Sequence, residues 1–252
     1  RDMAGRILNL LAEEDSLNQY RNRGQRLECV PITRVSQNYP LILRQRLGLD
    51  SPGTLWAKGN LSLLNRPAIA LVGSRELQQK NREFAEEAGR QAALQGYVLV
   101  SGNARGADRI AQQACLDAGG QVISVVADEL MKQTLQPNAL YLSEEGFDTA
   151  FTSIRALSRN RVIHALGEKV MVAQCALGVG GTWSGTVHNL KENWSSVFCF
   201  RDGSEASAQL EQMGAELIAI CDLSDFRALP EQAENLFEKA SKENKFVIHF
   251  GL

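Results

Sequence analysis

The chain has 252 residues, 44% of them hydrophobic and 22% charged, with a formal net charge of −2. That is enough apolar material for a full core without disulfide support, and it excludes a chain-wide basic field. A nucleic-acid ligand would need cations gathered locally. The cysteines (Cys29, Cys115, Cys175, Cys199, Cys221) are scattered without a Cys-x-x-Cys pair, which suits a reducing compartment. His164, His188 and His249 have no metal-ligand spacing. With no apolar run long enough to span a bilayer and no signal peptide, a cytoplasmic protein without membrane contact is expected.

Residues 1–26 read as an N-terminal helical segment, with Ile7, Leu8, Leu10 and Leu11 at helical spacing and Gly24 near its end. LECVPITRV reads as a strand. The stretch after it carries turn signals at Tyr39-Pro40 and Ser51-Pro52-Gly53. From residue 68 the rhythm changes. AIALV, YVLV, VISVV, LYLS, KVMVAQ, SVFCF and ELIAI are short apolar runs, separated by helical stretches such as KNREFAEEAGRQAALQG and SRNRVIHALGE. Strands alternating with helices predict an α/β fold, a mostly parallel sheet with helices on both faces. Residues 226–252 read as one more helix and a final strand appended to it.

In such a sheet, ligands sit beyond the carboxyl ends of the strands. Gly73-Ser74-Arg75 follows AIALV. Ser101, Gly102, Arg105, Gly106 and Asp108 follow YVLV. The stretch CALGVGGTWSGT, with Gly180, Gly181 and Thr182, follows KVMVAQ. Each alone is an ordinary turn; together they bring glycine, hydroxyl and guanidinium to one sheet edge, which suits a phosphate. The last stretch is neither G-x-G-x-x-G nor a Walker A sequence, and no Lys follows its Gly-Thr pair, so P-loop hydrolysis is not expected.

In SRNRVIHALGE, Val162, Ile163 and Leu166 should face the core, which would leave Arg159, Asn160 and Arg161 near the strand-end surface. Asp108 either orients Arg105 or caps its helix. Glu144 and Glu145 face either the cleft or solvent, and His164 is a packed or surface histidine. No nucleophile, base and orienter can be assembled, so no catalytic residue, cofactor or metal is expected.

In order, YPLIL, LWAKGN, AIALVGSR, SGNARGADRIAQQACLDAGGQVISVV, LYLSEE, SRNRVIHALGEKVMVAQC and GVGGTWSGT resemble the DprA/Smf (DNA-processing protein A) family. The resemblance covers about residues 27–225 and implies an extended Rossmann domain. It also implies single-stranded DNA binding, homodimerisation and delivery of the strand to a RecA-type recombinase in transformation or recombination, without catalysis. Carried over, Arg75 and Arg105 would contact the phosphate backbone, Arg159 and Arg161 would lie nearby, and Ser101, Gly102 and Gly106 would shape the pocket. The chain departs from the family pattern at ELQQKN, which lacks Ser-x-Tyr-Gly. Asn103 replaces an apolar residue, Gln174 an acidic one, and FRDGS lacks a Pro-Gly. The last glycine loop carries an insertion, and no winged helix is expected. The alternative reading is a nucleotide-binding sensor or phosphoribohydrolase-like protein of the LOG-type Rossmann families. GVGGTWSGT is similar to their P-G-G-x-G-T-x-x-E loop but lacks its leading Pro and closing Glu.

Overall fold

The structure, a computed structural model, describes residues 3–230, so most of the helix and strand expected over 226–252 lies outside the described residues. Two helices open the chain, α1 (Met3–Ala12) and α2 (Glu14–Arg26). Helix α2 is docked on the main body. Its Tyr20 ring packs against Trp56 and Phe147 at 5.3 and 4.6 Å, and its hydroxyl donates to Asp148. Burial and the Asp148 carboxylate push that phenol up to about 12.

The apolar runs form strands β1 (Val30–Thr33), β3 (Ala68–Val72), β4 (Val98–Ser101), β5 (Gln121–Val125), β6 (Ala139–Ser143), β7 (Lys169–Val172), β8 (Ser196–Phe200) and β9 (Glu216–Ile218). Between them run α4 (Gln79–Leu94), α5 (Ala107–Asp117), α6 (Ser153–Ser158), α7 (Asn160–Leu166), α8 (Gly180–Glu192) and α9 (Glu205–Gln212). The stretch 36–60, read above only for its turns, also holds α3 (Leu41–Leu47) and β2 (Thr54–Gly59). Strand β2 follows the Pro52-Gly53 turn, ends on Gly59 and carries Lys58, and these polar and turn residues hid its apolar run. The Lys58 ammonium is satisfied by the Met131 carbonyl.

The strands form one sheet in the order β1-β2-β6-β5-β4-β3-β7-β8-β9. All pairs from β6 to β9 are parallel, and β1 and β2 close one edge antiparallel. From β3 the chain goes to β4 on one side, while β7 lies on the other, so the topological switch point falls between β3 and β7. Both faces are covered, as the β3 residues show. Ala68, Ala70 and Val72 pack with Val162, Ile163 and Val197, whereas Ile69 and Leu71 pack with Phe84, Phe198 and Ala111.

Helices α4 and α5 cross unusually close. A Cβ on Gly89 would lie 2.0 Å from the Ala111 carbonyl oxygen. Gly89→Ala is therefore expected to lower stability by about 1–3 kcal/mol through overpacking, read as an earlier urea midpoint. An unchanged midpoint would contradict this packing.

Candidate functional site

The switch point holds a cleft of about 470 Å³. Its first wall is the β3 turn, Gly73, Ser74 and Arg75; its second is Ala104 and Asp108 of the β4–α5 turn. The third is Ser153, Ala156, Leu157, Arg159 and Asn160 of α6 and α7, and the fourth is Ala176, Val179, Gly180, Gly181 and Thr182. A neighbouring basin of about 440 Å³ shares Arg75, Ala104, Ala156 and Arg159 with the cleft and adds Gly102, Arg105, Arg109, Asp128 and Phe151.

Backbone contacts set these walls. The Ser74 amide donates to the Gln174 carbonyl (2.9 Å) and the Ala107 amide to the Ser74 carbonyl (3.1 Å), so all three strand-end turns are stitched together. Gly106, at φ 93°, starts α5. A Cβ there would fall 2.4 Å from the carbonyl oxygens of Ser74 and Arg75, so no other residue fits. Two departures from the family pattern find a local use. Asn103 adopts φ 55°, a left-handed conformation that asparagine tolerates and β-branched residues do not. The Gln174 side chain accepts from the Gln78 amide (2.9 Å), tying the start of α4 to the end of β7.

Arg159 lies at the centre. It is only 7% exposed, and its Nε and Nη1 have no hydrogen-bond partner among the described residues. A Cβ on Gly102 would fall 1.7 Å from its Nη1, so the guanidinium occupies the space that glycine leaves. Burial lowers the Arg159 pKa, opposed by the charges of Asp108, Asp128 and Glu144. Asp108 is 6% exposed, and its Oδ2 accepts from the Gly102 and Ala104 amides at 3.0 and 3.2 Å. Burial raises its pKa, while Arg159 and those amides pull it back. Asp108 therefore neither orients Arg105 nor caps α5; it folds the 102–104 turn beneath Arg159.

The other expected residues divide by place. Arg75 reaches the cleft exposed, and its guanidinium has no hydrogen-bond or ion-pair partner among the described residues. Arg105 sits on the outer rim, 79% exposed and 3.8 Å from Glu76, so it borders the basin and not the cleft. Arg161 does not line the cleft. Its guanidinium grips Glu144 through two hydrogen bonds of 2.6 and 3.2 Å and also donates to Ser158 and to the Asp50 carbonyl. Helical rotation turns it away from Arg159, and the pairing uses up its charge. Ser101 is buried, its hydroxyl accepting from Gln112, so it supports the wall from behind.

The glycine stretch is not a loop throughout: Gly180 onward is the first turn of α8. Gly181 and Gly185 let α8 approach Asn160 and Leu157, with Cβ positions 3.1–3.2 Å from their side chains, and the Asn160 amide donates to the Gly181 carbonyl. The first turn of α8 has no side-chain cap and no acidic residue, so its amides are open to an anion.

Several lining residues were not expected: Ser153, Ala156 and Leu157 fall at i, i+3 and i+4 on α6, a spacing too short to stand out in six residues. Arg155 on the same helix is a buttress. It donates to the carbonyls of Ala127, Thr149 and Ala150 and to Ser143, and it pairs with Glu145 at 3.1 Å. Among the described residues no group of three or more His, Cys, Asp or Glu could hold a metal ion, and no helix is long and apolar enough to cross a membrane.

Comparisons with known proteins agree with this architecture. The family model for DNA recombination-mediator protein A matches residues 31–226. The chain is 32% identical over 188 residues to DNA processing protein DprA of Streptococcus pneumoniae, covering 67% of this chain and 64% of that protein. It therefore spans somewhat less than two thirds of that relative. It is 30% identical over 236 residues to DprA of Bacillus subtilis, covering 86% and 75% of the two chains. The crystal structure of S. pneumoniae DprA superposes with a TM-score of 0.71 at 27% identity, over 83% of this chain and 76% of that one. A structure of DprA from Helicobacter pylori, described for its single-stranded DNA binding mode, superposes with a TM-score of 0.64 at 25% identity over 78% and 94%. With a family model spanning most of the sheet and relatives that share its fold and sequence, the chain belongs to the DNA recombination-mediator protein A family.

Proposed function

We propose that the cleft holds the sugar–phosphate backbone of single-stranded DNA, as a binding site and not a catalytic one. The observation that carries this reading is Arg159, a buried guanidinium whose Nε and Nη1 have no partner among the described residues and which lines both the switch-point cleft and the adjoining basin. Arg75 at the mouth and the open first turn of α8 add donors around it. These gather positive charge locally, which a chain of net charge −2 requires. The H. pylori relative's described binding mode supports the same ligand class. Handover of the strand to a RecA-type recombinase, a homodimeric state and a cytoplasmic location complete the proposal; they follow from the family.

Phosphoribohydrolase chemistry is the weaker reading. Asp108 is the only carboxylate lining the cleft among the described residues, and two backbone amides hold it. The ligand proposal is tested by fluorescence anisotropy of a labelled oligothymidylate across a salt series. The slope of log affinity against log salt should be about −0.7 per phosphate neutralised, and Arg75→Ala should reduce its magnitude by one such step. A slope unchanged by Arg75→Ala would remove that residue from the interface.

A further inference from the structure

We infer that the exposed apolar rim formed by α6 and the 176–179 turn is a platform for nucleobases, so that bases as well as phosphates hold the strand. This rests on the reading that the cleft binds DNA, and it names the groups that meet the other half of each nucleotide. Phe151, Ile154, Leu157 and Val179 are each between 51% and 78% exposed. Leu157 and Val179 line the cleft, Phe151 lines the adjoining basin, and Ile154 lies one turn before Leu157 on α6. A single exposed apolar side chain is ordinary, whereas four beside one pair of cavities mark an interaction surface.

Local structure keeps the rim uncovered. The Thr152 hydroxyl caps α6 by accepting from the Arg155 amide at 3.1 Å, which leaves Phe151 just outside the helix. An apolar residue at that place commonly packs on the fourth residue of the helix, but here that residue is Ala156, too small to cover a phenyl ring. Phe151 and Ala156 line the basin together instead. Arg155 fixes the segment from behind by donating to the carbonyls of Ala127, Thr149 and Ala150, so the platform is formed before any ligand arrives.

The chemistry of the surroundings selects the occupant. Arg155, buried and paired with Glu145, is the only charged side chain in residues 151–158, and residues 176–190 contain no Asp, Glu, Lys or Arg. The turns after β3 and β4 and the start of α5 bring Arg75, Arg105 and Arg109 to the same cavities, all exposed. One side is therefore apolar and the other cationic. A single strand matches both through its covalent structure, with a phosphate in every nucleotide and a base that has a flat apolar face.

The test compares, by fluorescence anisotropy, a labelled oligothymidylate with a strand of equal length whose bases are replaced by abasic tetrahydrofuran sites. The thymidylate is expected to bind about tenfold tighter, the effect of roughly one stacked base, with the same salt slope for both strands. Combining Phe151→Ala with Ile154→Ser changes only exposed side chains, and should bring thymidylate affinity close to that of the abasic strand while leaving abasic binding unchanged. Equal affinities of the two strands for the wild type overturn the inference and leave binding through phosphates standing. A variant that loses affinity for both strands alike also overturns it, because the substitutions then act through the phosphate contacts. A strand difference that persists in the variant places the bases elsewhere and overturns it. Light scattering identifies the rival occupant: a wild-type dimer that the variant dissociates, with the strand difference kept, makes the rim an interface between copies and overturns the inference. If neither strand binds the wild type, the DNA reading itself fails and the inference falls with it.

Discussion

Arg159→Gln is expected to weaken single-strand binding by about ten- to a hundredfold, because it deletes a charge-assisted contact worth roughly 1.5–3 kcal/mol. The uncharged amide also leaves Asp108 without its nearest countercharge, so a loss of melting temperature should accompany the loss of binding. Arg161→Gln provides the contrast within the same three-residue motif. Arg161 spends its charge on Glu144, a carboxylate whose side chain is only 13% exposed. Its loss should lower stability while leaving the salt slope of DNA binding unchanged. Equal binding losses from the two variants, or a loss from Arg161→Gln alone, would show that the two arginines have been assigned the wrong roles. Both measurements are anisotropy titrations paired with thermal melts.

Stability is expected to fall as the pH drops below about 6.5, and His164 is the cause. The ring is fully buried between α7 and α8, with Nδ1 3.1 Å from the Asn189 amide nitrogen. Burial, followed by the charge of His188, depresses its pKa from 6.5 to about 3. The folded protein therefore holds His164 neutral while the unfolded chain protonates it. The stability it contributes is fully present above pH 6.5 and is lost progressively down to about pH 3, approaching roughly 1.4 kcal/mol per pH unit within that window.

Asp108 and Glu144 act in the opposite sense. Burial raises both pKa values, so the folded state takes up their protons first and gains stability as the pH falls. His164→Asn removes the histidine titration and leaves those two. Relative to this variant, the wild type should lose stability between pH 6.5 and 4; parallel melting profiles would contradict the assignment. The consequence reaches the cleft, because α7 carries Asn160 and α8 carries the glycine turn that it grips. Protonating His164 would separate the helices that form one cleft wall.

Much of the fold was legible because parallel strands buried on both faces are continuous apolar runs, as in AIALV and SVFCF. The strand-end rule then placed Gly73, Ser74, Arg75, Asp108 and Gly180–Thr182 at one cleft without knowledge of any contact. What the sequence hid was direction. Arg159 and Arg161 read as equivalent cations two residues apart, yet adjacent positions on a helix point about 100° apart. Two such steps put Arg159 and Arg161 about 200° apart, so one guanidinium lines the cleft and the other reaches Glu144. Arg105 opened a turn rich in glycine and looked central, but its long side chain extends to the rim. Asp108 looked like a helix cap because it sits in the first turn of α5, whereas its partners are the amides four and six residues before it. Such assignments depend on which donor each carboxylate meets in space, and spacing alone does not encode that.

The central claim, that the switch-point cleft is where single-stranded DNA binds, is tested most directly by hydrogen exchange of backbone amides with and without saturating oligothymidylate. The account predicts protection concentrated at residues 73–76, 101–106 and 179–184, the three turns that meet around Arg159. Strong binding with those turns unprotected, and protection elsewhere such as the outer faces of α4 and α5, would contradict it.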